Sequence, residues 1–521
     1  MKKEFLKNNW QILLINIVVF VVFIIGYGRF GDVIFDSFRE AYIPSQIVKG
    51  QVLYKNIFNI YAPFAYLFNA ALFKVFGVKL VVLYIAGLIS TLGICNFIYL
   101  IGQRMLSKNY GLAIVLSFIC VSVLSPNVFN CLFPYSYSML YGLLFVLASV
   151  YFGMKQNYPI SYMMYSLAIC SKYEFVLLLP ILIYAAGKKD WWKNLLAFAA
   201  PIVISYVPLF IEGVSFTDLI ISAQLILTMS ATKTLYWFYS VTGLVFRAEL
   251  IPIYLINLLK FSGAVILLYF TKNNKWLLPV IFVYCYFVSS PEIFIFSFPL
   301  ILVLFVYKRH DMQKEELLFV LASLLISMKI FFALTIKSYG IYFIPFAILS
   351  LTFLVPKKIK KSLMIAILMF CISIGIKNTQ ELTTKNICLG SGSEIVYTTP
   401  FNGESLNKIV EYIKTNTNSE DKVLVYPEGL SVNILSGRES DNKFYSLIPL
   451  YIETFGEDLI LKRFEITKPK YIVISNYDTS IYYYRYFGVD YATKIFDYIS
   501  KNYKKECQLG EGLIFTVYKR N

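Results

Sequence analysis

Three ionisable residues, Asp36, Arg39 and Glu40, follow directly on the first apolar stretch of the chain. A carboxylate can accept a proton, and a guanidinium can bind an anionic oxygen through two parallel hydrogen bonds. The segment from Phe35 to Tyr66 that holds them is too polar to be embedded in lipid. Because ionisable groups in or beside a membrane span are costly, they mark functional sites by default. These three residues are therefore the first candidates for a site.

More ionisable residues occur in or beside later apolar stretches. They are Lys172 and Glu174 in CSKYEF, Arg247 and Glu249 before an apolar segment, Glu292 in SSPE and Lys337 in TIKSYG. Each one alone has an ordinary explanation as a snorkelling side chain or a charge at a helix end, and Lys172 and Glu174 could form a structural pair. Acids and bases gathered on one surface between apolar helices would instead suit an anionic head group whose lipid tail lies between the helices.

The composition indicates which elements must position these residues. The chain has 521 residues, of which 58% are hydrophobic, whereas soluble domains have about 45–50% apolar residues. A membrane span needs about 20 mainly apolar residues, and the sequence predicts an α-helical polytopic membrane protein with about thirteen spans. The predicted spans lie near 11–28, 80–102, 110–125, 133–153, 158–171, 173–187, 194–211, 251–271, 276–290, 292–308, 315–333, 340–356 and 361–377.

The net charge of +17 reflects many Lys and Arg residues, and their positions in the loops predict the orientation of these spans. Short loops rich in Lys and Arg face the cytoplasm, which favours basic loops over nucleic-acid binding as the source of the charge. The basic loops MKKEFLK, QRMLSKN, GKKDWWKN, TKNNK, YKRHDMQK and PKKIKK all fall on the N-terminal side of the membrane. We therefore predict a plasma-membrane protein with its N-terminus in the cytoplasm, its C-terminus outside and the ionisable residues named above on the outer face.

The last part of the chain has a different pattern. KVLVY and YIVIS are typical of short buried strands, GLIFTVYKR of a closing strand, and EDLILKRFEIT and YATKIFDYISKNY of amphipathic helices. The sequence therefore predicts two domains, a transmembrane domain over 1–377 with a first outer loop at 29–79, and a small extracytoplasmic α/β domain over 378–521. Cys388 and Cys507 flank the second domain, and whether they pair is left open.

The sequence lacks the residues that several classes of catalytic site require. The chain has a single histidine, His310, in a charged loop, so a Ser–His pair or a histidine-based metal site is not predicted. No GxGxxG follows a strand, which argues against nucleotide binding. The loop after KVLVY carries Gly429, Arg438 and Glu439, and it is either an acceptor contact or an ordinary solvated loop.

The first outer loop has a pattern of its own. In FREAYIPSQIVKG, Phe38, Ala41, Tyr42 and Ile47 are predicted to face the bilayer, and Pro44 is predicted to divide the segment into two short elements. PFAYLFNAALFKVFG is a second amphipathic or re-entrant segment. Thirteen residues of this loop form a spaced pattern. They are Asp36, Arg39, Glu40, Tyr42, Pro44, Gly50, Leu53, Tyr54, Ile57, Tyr61, Pro63, Phe76 and Gly77.

These residues resemble the first outer loop of the GT-C superfamily of membrane glycosyltransferases. The branch is that of the dolichyl-phosphate-mannose protein mannosyltransferases and the aminoarabinose lipid transferases. The chain departs from the pattern at Asn56, where the family has Asp, and at Ala62, where it has Gly. The resemblance extends to the span plan and the outer C-terminal domain, but it says almost nothing about the substrate.

The resemblance implies a function. It implies inverting transfer of a sugar from a polyprenyl-phosphate donor, on the outer face, to a cell-envelope glycan, lipid or protein. A carboxylate must take the proton of the acceptor hydroxyl, and Asp36 is the first choice with Glu40 second. Cations must stabilise the departing phosphate. The candidate cations are Arg39, Lys172, Arg247 and Lys337, with Glu174 and Glu292 as further acids of the outer face.

Two alternatives stay open at this point. One is a transporter or flippase of lipid-linked sugars, although neither repeated halves nor broken midplane helices are found in the sequence. The other is a non-catalytic protein of envelope assembly, in which Asp36→Asn would leave function intact. Arg39 and Glu40 could also pair simply to fix the loop. Some relatives bind a divalent cation, but without a DxD cluster or an outer histidine no cofactor is predicted.

Overall fold

A computed structural model describes residues 2–187, 190–227, 232, 234, 248–271, 275–332, 339–440 and 442–521. Helices dominate it. In the first half of the chain they are α1 (Lys2–Gly26), α2 (Asp36–Val48), α3 (Phe64–Phe76), α4 (Leu80–Met105), α5 (Lys108–Phe118), α6 (Tyr137–Met154), α7 (Tyr158–Ser171), α8 (Leu179–Ala186), α9 (Trp191–Ile211) and α10 (Phe216–Leu227). Then follow α11 (Ile251–Phe270), α12 (Leu278–Val288), α13 (Ser297–Lys308), α14 (Lys314–Phe332), α15 (Ile344–Leu354) and α16 (Lys357–Thr383).

The C-terminal part adds short strands and helices. They are β1 (Ile387–Leu389), β2 (Val396–Thr398), α17 (Pro400–Asn416), β3 (Val423–Tyr426), α18 (Leu430–Ser436), α19 (Pro449–Phe455), α20 (Glu457–Thr467), β4 (Tyr471–Ser475), α21 (Thr493–Asn502), β5 (Tyr503–Leu509) and β6 (Phe515–Arg520). The predicted fold class, a helical membrane protein with a small C-terminal α/β part, is therefore confirmed.

Helices overlap every predicted span. This follows from the solvent, because a backbone in lipid must satisfy its hydrogen bonds within its own segment. Among the described residues, six helices are long and apolar enough by themselves to cross a membrane, and other predicted spans lie on shorter apolar helices. The chain is a multi-pass membrane protein. The number thirteen and the side on which each terminus lies stay predictions.

The long helices differ in how much of their apolar surface is covered by protein. In the most apolar window of α6, 78% of the residues are buried, whereas the corresponding windows of α9 and α11 are only 22% and 28% buried. Apolar surface left uncovered by protein is stable when it faces hydrocarbon instead of water. The helix α6 therefore belongs to the protein interior, and α9 and α11 have the exposure of lipid-facing helices.

By packing, the chain divides into two compact units. The first contains 1–27, 85–204 and 240–382, and the second contains 28–84, 205–239 and 383–521. The first outer loop thus packs in the same unit as the C-terminal residues. The domain boundary predicted after residue 377 stays a prediction about the organisation of the chain.

The core of the second unit is a four-stranded sheet in the order β3-β4-β6-β5. The strands β3 and β4 are parallel with Val425 opposite Val473, while β6 runs antiparallel to both of its neighbours. Every residue of β3 and β4 is buried, as the apolar runs KVLVY and YIVIS predict. Residues of α20 and α21 pack against the sheet, among them Ile460, Phe464 and Ile495.

Two predictions about α2 are wrong. Pro44 lies inside one continuous helix and does not divide it, because α2 is buried along nearly its whole length, from Ser37 to Gln46. Phe38 and Tyr42, predicted to face the bilayer, are buried within the protein. The hydroxyl of Tyr42 shares a hydrogen bond of 2.6 Å with Ser440 Oγ. An apolar helix face fits lipid and protein equally well, so its pattern alone does not tell them apart.

Candidate functional site

The side chain of Asp32 holds the start of α2 in place. Asp32 Oδ2 accepts hydrogen bonds from the backbone N–H groups of Phe35 at 2.6 Å and Asp36 at 2.8 Å, and Oδ1 accepts one from Ile34 at 3.1 Å. The N–H groups of a first helical turn have no partner within the helix and favour a negative charge. The Asp32 carboxylate supplies the hydrogen-bond acceptors and the negative charge. It thereby fixes Asp36 as the first residue of α2. The sequence reading did not single out Asp32.

Asp36, Arg39 and Glu40 form one cluster on α2. Arg39 Nη1 donates to Asp36 Oδ1 at 2.8 Å, and Arg39 Nε and Nη2 both lie 3.4 Å from Glu40 Oε1. The same Glu40 oxygen accepts a hydrogen bond of 2.8 Å from the hydroxyl of Tyr66. The guanidinium therefore connects the two carboxylates, as the spacing of three residues on a helix allows.

The three side chains differ in exposure, and this separates their roles. The side chain of Glu40 is 0% exposed, that of Arg39 is 9% exposed and that of Asp36 is 37% exposed. Part of the Asp36 carboxylate is left uncovered by protein, whereas Glu40 is enclosed among its partners. Of the two predicted bases, Asp36 is thus the accessible one.

Aromatic residues of the first outer loop hold Arg39 from its other sides. The guanidinium carbon lies 5.5 Å from the ring centre of Tyr61 and 5.7 Å from that of Phe35, both within cation–π range. The backbone carbonyl of Tyr61 in turn accepts hydrogen bonds from the Tyr54 hydroxyl at 2.7 Å and from Asn59 Nδ2 at 2.8 Å. The tyrosines of the compared pattern thus position the arginine.

A carboxyl group from the C-terminal part faces the same electrostatic surroundings. Glu428 follows β3 directly after Pro427, is buried, and accepts a hydrogen bond of 3.3 Å from Ser446 Oγ. Three residues later, the backbone N–H and Oγ of Ser431 both bond to the carbonyl of Ile34, at 3.4 and 3.3 Å. These contacts bring the Glu428 loop beside the start of α2.

Burial, together with neighbouring carboxylates, raises the pKa of both Asp36 and Glu428. Burial raises the pKa of Asp36, the charge of Asp32 raises it further, and Arg39 opposes both. Burial also raises the pKa of Glu428 well above its usual range, with added contributions from Asp36 and Asp32 that outweigh Arg39 and the Ser446 hydrogen bond. Two carboxyl groups with raised pKa values are typical of sites that move protons.

Glu428 was not among the sequence-predicted site residues. The predicted loop was described by Gly429, Arg438 and Glu439. The signal that could have found Glu428 is its place at the carboxyl end of a buried parallel strand, where α/β domains bind ligands. Glu439 has a structural role instead, because it forms ion pairs with both Lys49 and Lys422.

Other predicted site residues belong to the first compact unit. Lys172 Nζ lies 3.2 Å from Glu174 Oε1 and donates to the Tyr135 hydroxyl at 2.7 Å, with 10% of its side chain exposed. The two charges therefore form the pair that the sequence suggested. Glu292 is half-buried in a short 3₁₀ turn, Pro291–Phe294.

Arg247 and Lys337 lie outside the described residues. Over the ranges that the structure describes, no three His, Cys, Asp or Glu side chains come together as metal ligands. The absence of a cofactor stays a prediction. Cys388 and Cys507 are both free thiols.

The chain is similar to known proteins in structure but not in sequence. No protein-family model matches the chain, and no curated protein matches it in sequence. The Archaeoglobus fulgidus oligosaccharyltransferase, solved with Zn and sulfate, is similar over 88% of this chain and 68% of its own, with 12% identity and a TM-score of 0.46. ArnT from Cupriavidus metallidurans bound to undecaprenyl phosphate is similar over 98% of both chains, with 11% identity and a TM-score of 0.43.

Proposed function

We propose that the protein is a membrane glycosyltransferase. It moves a sugar, a hexose or a pentose, from a polyprenyl-phosphate donor to a hydroxyl group of a cell-envelope glycan, lipid or protein. The reaction takes place on the outer face, with the N-terminus in the cytoplasm. The observation that carries the proposal is the cluster on α2, in which Asp36 is partly exposed while Arg39 and Glu40 are enclosed.

Asp36 acts as the general base in this proposal. Its carboxylate takes the proton of the acceptor hydroxyl while the acceptor oxygen bonds to the anomeric carbon. The bond between that carbon and the donor phosphate oxygen breaks, and its electron pair leaves with the phosphate. Attack opposite the leaving group inverts the anomeric centre. A raised pKa makes Asp36 a stronger base than an ordinary aspartate, which supports proton removal near neutral pH.

Arg39 and Glu40 position the base. Arg39 is held by Asp36, Glu40, Tyr61 and Phe35 and has little exposed surface. Its contacts favour fixing the orientation of the Asp36 carboxylate over binding the donor phosphate. Glu40 is enclosed and bonded to Tyr66, so we assign it to anchoring Arg39 and not to proton transfer.

The donor phosphate needs cations that it can approach. Lys172, Arg247 and Lys337 are the candidates, and their role in this reaction is a proposal from the family resemblance. Lys172 is already paired with Glu174 at 3.2 Å, so a phosphate would have to displace or share that contact. Polyprenyl chains would lie along the exposed apolar faces of the spans.

The test is transfer of labelled sugar by the purified protein from defined polyprenyl-phosphate sugars. Loss of a general base lowers a rate by about 10²–10⁴-fold, and we expect this from Asp36→Asn, which keeps the shape of the side chain. Asp458→Asn is the matched control, because Asp458 is an exposed aspartate whose ion-pair partner is Lys494 at 3.1 Å. We expect the control to transfer sugar at the wild-type rate.

Two outcomes would overturn the proposal. Full activity in Asp36→Asn would remove Asp36 as the base. Movement of the lipid-linked sugar across a vesicle membrane without any covalent transfer would favour a flippase instead.

A further inference from the structure

A small polar cavity lies in the second compact unit beside the C-terminal half of α2. Its volume is about 90 Å³, which is more than the space that one water molecule requires. Its polar lining includes Gln46, Gln51, Asn56, Asn442, Lys443 and Arg463. A cavity of this size and polarity suits one small polar group, and neither the proposed base nor its partners line it.

Lys443 places a buried positive charge in this cavity. Its side chain is 9% exposed, and its ion-pair partner is Asp218, whose Oδ1 lies 3.9 Å from Nζ. Among the described residues, no hydrogen bond reaches this ammonium group. A buried ammonium is costly unless it is paired and hydrogen-bonded, and a contact of 3.9 Å is too long for a hydrogen bond. Over the residues that the structure describes, the charge of Lys443 is therefore only partly compensated, by Asp218.

Further cations surround the same position. Burial lowers the pKa of Lys443, Asp218 opposes this, and the positive charge of Arg463 lowers it again. Lys55 acts on Asp218 together with Lys443, so among the described residues Asp218 is shared by two lysines while Arg463 adds a third positive charge. An anion in the cavity would restore the balance of charge.

The amides of the cavity supply hydrogen-bond donors. Asn56 Oδ1 already accepts a hydrogen bond of 3.0 Å from the backbone N–H of Val52, so this amide has its N–H₂ group available for another partner. An aspartate, which the compared family has at this position, would instead place a negative charge beside Lys443. The departure of the sequence at Asn56 thus makes the cavity more favourable for an anion.

We propose that this cavity binds an oxyanion, a phosphate or a carboxylate group, that is carried by the acceptor. The assignment to the acceptor rests on the proposed function. From Asp36 to Gln46, α2 advances by about 15 Å at 1.5 Å per residue. An acceptor that reaches both the base and the cavity is therefore extended, and it carries its negative charge away from the hydroxyl that receives the sugar.

Binding is tested first without sugar transfer. The full-length protein in lipid nanodiscs is dialysed to equilibrium against labelled inorganic phosphate and, separately, labelled acetate. We expect saturable binding of at least one of them, and its identity distinguishes a phosphate from a carboxylate. Removing one charged hydrogen-bond donor should weaken binding by about tenfold or more in Arg463→Gln and in Lys443→Gln. Should the buried Lys443 variant fail to fold, the exposed Arg463 carries the test.

Lys462→Gln is the matched control, because Lys462 is an exposed neighbour on α20 that does not line the cavity. Its binding should equal that of the wild type. Absence of saturable binding of both anions would overturn the proposal, as would an equal loss in Lys462→Gln, which would indicate only a diffuse basic surface.

A second measurement separates this cavity from the proposed function. With an anionic acceptor, Arg463→Gln should raise the acceptor KM by about tenfold and leave kcat unchanged, and with a neutral acceptor it should change neither. An equal effect on both acceptors would contradict the assignment to the acceptor. Phosphate binding by a protein that transfers no sugar would support the cavity and contradict the glycosyltransferase, and transfer without anion binding would do the reverse.

Discussion

Arg39 Nη1 donates a hydrogen bond of 2.8 Å to Asp36 Oδ1 across the first turn of α2, while its other nitrogens face Glu40. One guanidinium thus holds an exposed carboxylate and an enclosed one. The enclosed side is fixed by Tyr66, and the exposed side is fixed by the backbone that Asp32 ties down. The carboxylate of Asp36, the proposed base, is thus held from two directions, and such pre-organisation would favour catalysis.

Arg39→Lys tests whether Arg39 positions the base or binds the donor. A lysine keeps the charge but loses the planar fork that reaches Asp36 and Glu40 together. We expect sugar transfer to fall by about tenfold or more through kcat, with the donor KM unchanged. Arg485→Lys, at an exposed arginine, is the control. A raised donor KM with a normal kcat would instead assign Arg39 to the donor phosphate.

Tyr66→Phe tests the anchor on the enclosed side. The change removes the hydroxyl that donates to Glu40 Oε1 and leaves a buried carboxylate with fewer hydrogen bonds, which costs about 1–3 kcal/mol. We expect a lower thermal unfolding midpoint together with a smaller loss of transfer than in Asp36→Asn. Tyr483→Phe removes an exposed hydroxyl and should leave the midpoint unchanged. Equal midpoints for the two variants would argue against the anchor.

The sequence predicts the helices and strands of this protein better than the tertiary contacts that these elements make. Apolar runs locate the helices and the strands β3 and β4, because the period and length of a run are local properties. The site is predicted only in part. Asp36 and Arg39 are three residues apart on one helix, so their contact follows from helical spacing, whereas Glu428 is distant in sequence and reaches the site through the Ser431–Ile34 contact.

The burial of α2 shows the same limit from another side. Phe38 and Tyr42 lie on an apolar face, and the sequence does not state whether lipid or protein covers it. The structure buries both in protein, and the Tyr42–Ser440 hydrogen bond joins residues 398 positions apart. Long-range contacts of this kind depend on the whole fold and leave no local signature.

Asp32→Asn tests the pH dependence of the base. In the proposed mechanism transfer needs ionised Asp36, so the rate should rise as pH increases through the Asp36 pKa. Burial and the Asp32 charge raise that pKa, against Arg39, so the midpoint of the rise lies above the ordinary value of about 3.9. The substituted asparagine would keep one capping oxygen and remove the charge. We expect the rise to move to lower pH, measured from kcat/KM. An unchanged or upward midpoint would contradict this electrostatic arrangement.

Glu428→Gln tests the second carboxyl group through stability. Because the pKa of Glu428 is raised on folding, the native state holds a proton that the unfolded state, with an ordinary pKa near about 4.3, has released. Stability is then greatest below the ordinary pKa and falls as pH rises through the raised one. Thermal unfolding midpoints from acid to neutral pH should decline less in Glu428→Gln than in wild type. Glu511→Gln, at a carboxylate 86% exposed, should keep the full decline, and a similar decline in both variants would exclude Glu428 as its source.

Asn56→Asp tests the proposed anion-binding cavity by placing a carboxylate in its lining. The new carboxylate would lie beside Lys443 and Arg463 in the cavity of about 90 Å³. It would pair with the positive charges that would otherwise bind an anion. We expect phosphate or acetate binding to weaken by about tenfold or more, since a like charge close to the ligand in a partly desolvated cavity is strongly unfavourable. The measurement is equilibrium dialysis at constant ionic strength, with Asn418→Asp on an exposed loop as the control for net charge. Because Asp36 is not changed, transfer to a neutral acceptor should stay at the wild-type rate. Unweakened anion binding in Asn56→Asp would move the binding group away from Asn56 and contradict the proposed cavity.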